Sequence, residues 1–122
     1  YNGSAWVTAG AKPYQILTGN LTQTGTSAPT FTILQNTTGV TYTMGYTSAG
    51  VYTLTANSGT PFTANKTFII GGALQSAAGG NIVQFAYERN TTTLIDLYTT
   101  DLSLGAANDL LNNTSFEVRI YP

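Results

Sequence analysis

The stretch Thr114-Ser115-Phe116-Glu117-Val118-Arg119-Ile120-Tyr121-Pro122 decides how the rest of the sequence is interpreted. Apolar residues at 116, 118 and 120 alternate with charged residues at 117 and 119, which is the period-two pattern of a strand with one buried face. A proline follows, and proline cannot donate to a continuing ladder. We therefore predict a closing strand of a larger sheet, with Glu117 and Arg119 paired on its surface.

The composition indicates a single all-β domain with a nearly uncharged surface. The chain has 122 residues, which fits one domain, and 7% of them are charged, against about 25% in a typical soluble domain. Its 23 threonines favour strands, while 10 asparagines and 13 glycines favour turns. Surfaces of hydroxyls and amides are typical of secreted, cell-surface and virion proteins.

Turn signals recur every 8 to 14 residues and separate about eight alternating segments. This spacing predicts one antiparallel β-sandwich, jelly-roll-like, with at most one short helical turn near residues 106–111. Residues 12–122 form this predicted domain, and residues 1–11 are predicted to be an extended arm or linker.

Local patterns give more detailed expectations. We predict a bulge or bend near Gly19, where the apolar face switches. Segments 30–35, 40–46 and 51–55 are predicted to form a meander, in which residues 36–39 make a hairpin-like connection. Residues 67–70 are apolar on both faces and are therefore predicted to be central. Segments 81–87 and 91–99 are predicted to pair as a second hairpin.

The sequence lacks the side chains of most catalytic and metal sites. It contains no cysteine and no histidine, which excludes disulfides and the nucleophile arrangements that need either residue. We predict no enzymatic activity, no cofactor and no metal. Asp101, Asn108 and Asp109 offer oxygen ligands, but without the dense spacing of a calcium loop, and helix capping explains Asn108 and Asp109 equally well.

Charge and hydropathy also bear on the expected partners. The net charge of −1 gives no basic footprint for nucleic acid. No apolar run approaches the roughly 18 residues of a membrane span. The candidate binding residues are Trp6, Tyr46, Tyr98 and Tyr121, because aromatic rings stack on sugars and anchor subunits. The alternatives are that Trp6 lies over its own domain and that the tyrosines pack in the core.

Several segments together resemble a small module of phages of Bacteroidetes-type bacteria and of related bacterial and metagenomic proteins. The resemblance covers residue 14 to the C-terminus. The segments that carry it are Leu21–Thr30, Ile33–Gly39, Gly50-Val51-Tyr52, Asn65–Phe68 and Phe116–Pro122. It implies a virion fibre, spike or decoration protein and assigns no catalytic residue.

We therefore expect an oligomeric virion structural protein at the virion surface or outside the cell. Its expected partners are other copies of itself, other virion proteins and a host surface glycan. The alternatives are a bacterial adhesin or carbohydrate-binding module, and a subunit of an extracellular filament in which residues 1–11 are the donated strand.

Overall fold

The computed structural model describes residues 13–75, 82–103 and 105–122, and these contain nine strands and no helix. The predicted arm, residues 1–11, lies outside the described residues. The strands are β1 (Gln15–Thr22), β2 (Thr30–Asn36), β3 (Tyr42–Ser48), β4 (Val51–Ala56), β5 (Thr67–Gly71), β6 (Val83–Arg89), β7 (Leu94–Asp101), β8 (Gly105–Ala106) and β9 (Thr114–Ile120).

Two antiparallel sheets pack face to face as a β-sandwich, which confirms the predicted fold class. Sheet A has the order β2-β1-β9-β5, and sheet B has the order β3-β4-β7-β6, with β8 paired to β7. Hairpins contribute the pairs β1–β2, β3–β4 and β6–β7. Long-range pairings of β9 with β1 and β5, and of β4 with β7, complete the sheets.

The core lies between the two sheets and is supplied by alternate residues of the inner strands. In β9, Phe116, Val118 and Ile120 are buried as predicted, while Glu117 and Arg119 form an ion pair on the outer face. Burying each apolar side chain of this size contributes about 1.5–3 kcal/mol. The other buried members of this core are Leu17, Leu21, Tyr52, Leu54, Ala56, Phe62, Ile95, Leu97 and Leu111.

The predicted bulge is present where β1 pairs with β2. Gly19 lies opposite Ile33 and Thr18 lies opposite Gln35, so Leu34 is the extra residue of β2. A Cβ atom on Gly19 would lie 2.1 Å from the Thr32 carbonyl oxygen. The absent side chain therefore lets the two backbones approach closely at the bulge.

The hairpin predictions for segments 40–55 and 81–99 are confirmed, but the predicted meander is wrong. β2 belongs to sheet A and β3 to sheet B, so residues 37–41 cross between the sheets. A crossing and a hairpin need the same turn residues, which is why local sequence did not distinguish them. The helical turn expected near 106–111 is also absent; β8 occupies its start and an irregular loop follows.

The prediction that residues 67–70 are central is wrong as well. They belong to β5, an edge strand of sheet A, whose inner neighbour is β9. The outward-facing apolar residues are Phe68, which is exposed, and Ile70, which is half-buried. The continuous apolar sequence of residues 67–70 therefore produces an apolar patch on the outer face of sheet A, and the strand is not buried on both faces.

The two sides of the sandwich differ in how their edges are closed. On one side β5 contacts β6, where the Gly71 amide donates to the Tyr87 hydroxyl at 3.0 Å and Phe85 and Tyr87 pack on Phe116. On the other side β2 and β3 are the edges. Within residues 13–75, 82–103 and 105–122, β1 is the one strand that pairs with β2, so β2 is an open edge of sheet A.

Candidate binding surfaces

The residues predicted from the sequence as binding candidates do not come together in one site. Trp6 lies outside the described residues. Tyr46 is half-buried and faces inward, with its ring 6.0 Å from that of Tyr52 and its hydroxyl accepting from Asn108. Tyr98 lies on the outer face of sheet B, where its hydroxyl donates to Glu88 at 3.1 Å and so raises its pKa.

The residues of the last loop that were considered as oxygen ligands also do not form one site, because each bonds to a different backbone amide. Asp101 is buried and accepts from the Ser103 amide, while Asp109 accepts from the Gly25 amide at 2.7 Å. Asn108 accepts from the Gly50 amide at 3.0 Å. Within the described ranges no group of three histidine, cysteine or acidic residues could hold a metal ion.

A buried polar network that the sequence did not reveal holds this loop on the sandwich. The Gln23 side chain donates to the Gly25 and Ser27 carbonyls and accepts from the Tyr52 hydroxyl and the Asp109 amide. Burial raises the pKa of Tyr52. Because every atom of this amide has a partner, we interpret the network as structural.

The first candidate surface is the open edge of sheet A, which we call the β2 edge (Thr30–Asn36). Six of its seven residues are exposed, including Ile33 (43% exposed) and Leu34 (69%). The strand contains no charged residue and no proline. Phe31 alone packs inward, with its ring 5.9 Å from that of Phe116.

The edge of sheet B on the same side, β3, offers a different surface. Its apolar residues Tyr42, Met44 and Tyr46 pack against the core. Its other residues are Thr43, which bonds to Asn57, and a glycine, a threonine and a serine, none of which is aliphatic. Of these two described edges, only β2 therefore combines an unpaired backbone with exposed aliphatic side chains.

The second candidate surface lies on the outer face of sheet A, at its β5 side. We call it the Arg119 platform, and its members are Tyr14, Lys66, Phe68, Arg119 and Tyr121. The Arg119 guanidinium lies 5.0 Å from the Tyr14 ring centroid, and the Tyr14 and Tyr121 rings are 5.1 Å apart. Phe68 lies directly opposite Arg119 in the β5–β9 register.

The Arg119 guanidinium and the backbone next to it hold the platform residues in place. The guanidinium's hydrogen bond to Glu117 raises the Arg119 pKa, and the nearby Tyr121 hydroxyl raises that pKa by a smaller amount. The Tyr121 amide donates to the Lys66 carbonyl at 2.8 Å, which anchors the backbone beside the rings. The platform is therefore arranged before any ligand arrives.

Two shallow clefts flank Tyr121 on this platform. One, of about 480 Å³, is lined by Lys66, Phe68 and Arg119 together with their neighbours. The other, of about 410 Å³, lies between Tyr14 and Tyr121. Phe68 is 54% exposed and Tyr121 39% exposed, so both rings present a face to solvent.

No family model, no curated protein and no solved structure matches this chain. The resemblance to a phage module therefore stays a prediction. Among the described residues, no helix is long and apolar enough to cross a membrane. The two surfaces are the observations on which a function can be argued.

Proposed function

We propose that this chain is a non-enzymatic structural module of a virus particle, in a fibre, spike or decoration layer, and that it assembles with copies of itself through the β2 edge. The carrying observation is an uncharged seven-residue edge strand that exposes Ile33 and Leu34. Such an edge is a template for another strand. Monomeric proteins usually blunt it with charge, proline or a covering loop.

A second copy of this chain is the partner that fits the edge. Antiparallel pairing of two β2 strands about a two-fold axis would place Ile33 at the centre of both and would bring no like charges together. The bulge at Leu34 bends the strand. A partner strand must follow that bend, and a second copy has the same bend by symmetry.

The placement in a virus particle is supported by the resemblance of residues 14–122 to the phage module and by the neutral surface. Nine charged residues in 122 leave few groups whose interactions change with salt or pH. An appendage exposed to varying surroundings benefits from that insensitivity. A cell-surface adhesin and an extracellular filament are the alternative settings for the same assembly.

The assembly is tested by measuring the mass of the protein in solution. Sedimentation velocity across a concentration series compares the wild type with Ile33→Lys and Leu34→Lys. We expect a dimer or larger species for the wild type and at least about tenfold weaker association for each variant, because a buried lysine at the strand pair costs its desolvation. Ile82→Lys is the matched control, because Ile82 is 71% exposed and lies outside sheet A.

A wild type that stays monomeric at about 100 µM, or an Ile33→Lys variant that associates as the wild type does, would contradict assembly through β2. Circular dichroism of each variant establishes that it is folded. The virion placement has a separate test, which is mass spectrometry of purified particles from cells that carry the gene. If the protein were absent from such particles, the virion placement would be wrong, and the adhesin and the filament would be the settings to test.

A further inference from the structure

We propose that the Arg119 platform is a binding site for an acidic saccharide, with sugar rings stacked on Phe68 and Tyr121 and a sugar carboxylate held by Lys66. Of the aromatic residues that the sequence pointed to, the site contains Tyr121 but not Trp6, Tyr46 or Tyr98. Its members belong to β5, to β9 and to residues next to β1, β5 and β9, and none of them belongs to β2. The proposal therefore does not depend on self-assembly.

Exposed aromatic faces supply the stacking surface. The C–H groups of a pyranose ring carry partial positive charge and pack on the electron-rich face of an aromatic ring. Phe68 and Tyr121 both border the same 480 Å³ cleft. The Phe68 side chain is 54% exposed, so a bound sugar ring would cover apolar surface that is otherwise in contact with water.

Preorganisation makes this surface more than an exposed apolar patch. The Arg119 guanidinium lies over the face of Tyr14, and the centroids of the Tyr14 and Tyr121 rings are 5.1 Å apart, so both rings are packed in place before binding. Binding therefore costs little side-chain entropy. The hydrogen bond from Tyr121 to the backbone of Lys66 keeps the basic residue beside the rings.

The local charge favours an anionic ligand over a neutral one. Lys66 and Arg119 line the cleft, and Glu117 is the carboxylate paired to Arg119. These three residues carry a sum of +1 in a chain whose net charge is −1. The guanidinium uses its Nε for Glu117, which leaves Lys66 as the point charge for a carboxylate.

Titration calorimetry tests the proposal with two saccharides of equal length, an oligogalacturonate of about six units and neutral maltohexaose. We expect saturable binding of the oligogalacturonate, with a dissociation constant on the order of 100 µM because the clefts are shallow. Phe68→Ala should weaken it about tenfold through lost stacking. Lys66→Gln should reduce the preference for the acidic saccharide and leave maltohexaose binding unchanged.

Ile82→Ala serves as the control, because it also removes an exposed apolar side chain but lies away from the platform. No saturable binding of either saccharide would overturn the proposal. Equal binding by the wild type and Phe68→Ala would overturn the assignment of the site. Equal affinity for the two saccharides, unchanged by Lys66→Gln, would overturn the acidic ligand. None of these results alters the expected behaviour of the β2 edge.

Discussion

Single side chains hold the loops of this sandwich in place, and Gln23 does so with both ends of its amide. Its oxygen receives the Tyr52 hydroxyl and the Asp109 amide, while its nitrogen donates to two carbonyls of the following turn. Asn108 continues the network towards Tyr46. The polar interior therefore joins β1, β4 and the last loop, and it rigidifies the end of the sandwich.

Buried tyrosines make the protein sensitive to alkali. Burial raises the pKa of Tyr52 and Tyr42, and a hydrogen bond to Glu88 raises that of Tyr98. Their unfolded value is 10.0, so their contribution to stability is complete below about pH 10 and is lost as pH rises through the higher folded values. We expect a constant free energy of unfolding from neutral pH to about pH 9 and a decline above pH 10.

The measurement is urea unfolding across pH, together with tyrosinate absorbance of the folded protein. Tyr52→Phe should reduce the alkaline decline and cost about 1 kcal/mol at neutral pH, because the hydroxyl that donates to Gln23 and Asn108 is removed while both amide oxygens keep another donor. If all tyrosines titrated together near pH 10 without loss of stability, the assigned burial of Tyr52 would be wrong.

At the scale of strands, position in the sheet matters more than alternation. The inner strands β4 and β7 alternate strictly between buried and half-exposed residues. The edge strand β2 does not, since nearly all of it is exposed. Its single inward ring, Phe31, and the bulge at Leu34 fix the register against β1.

The bulge gives a prediction for Gly19. Its backbone angles are ordinary, so the requirement is space: a Cβ atom would lie 2.1 Å from the Thr32 carbonyl oxygen and 2.8 Å from the Phe31 ring. We expect Gly19→Ala to lower the free energy of unfolding by about 1–3 kcal/mol, because the two strands must move apart. Chemical denaturation measures it.

Thr18→Ala is the control for this change, since Thr18 is the adjacent β1 residue on the outer face. It should cost only a few tenths of a kcal/mol. A Gly19→Ala protein as stable as the wild type would show that β1 and β2 are not held as closely as described.

At the scale of the whole molecule, one core is shared by both sheets. Leu17 of sheet A and Leu97 of sheet B are both fully buried in the same cluster. Several strands whose side chains form the core are paired with strands that are distant in sequence. No hairpin can therefore bury its apolar face alone. We therefore expect the described domain to unfold as a single cooperative unit.

Paired substitutions test this cooperativity. Leu17→Ala and Leu97→Ala should each lower the free energy of unfolding by about 2–5 kcal/mol, through lost burial and the cavity left behind. Far-ultraviolet and near-ultraviolet circular dichroism should then report one coincident transition in each variant. Leu102→Ala, at an exposed leucine, should have little effect. Separate transitions for the two sheets would contradict a shared core.

The two proposed surfaces are compatible in one assembly. Pairing of two copies at β2 extends sheet A from four strands to eight and leaves the β5 side of each copy at an outer end. Each Arg119 platform therefore remains accessible. Two linked sites raise the effective affinity for a polymeric ligand without any new contact.

The sequence by itself determined the strands other than β8, the hairpins 40–55 and 81–99, the bulge near Gly19 and the buried face of β9. These follow from alternation and turn chemistry, which act over a few residues. Only the tertiary structure decided that β2 and β5 are edges and that residues 37–41 cross between sheets. It also brought Tyr14 beside Tyr121. Strand order depends on which distant segments together bury the most apolar surface. A pattern that extends over a few residues contains no information about that total buried area.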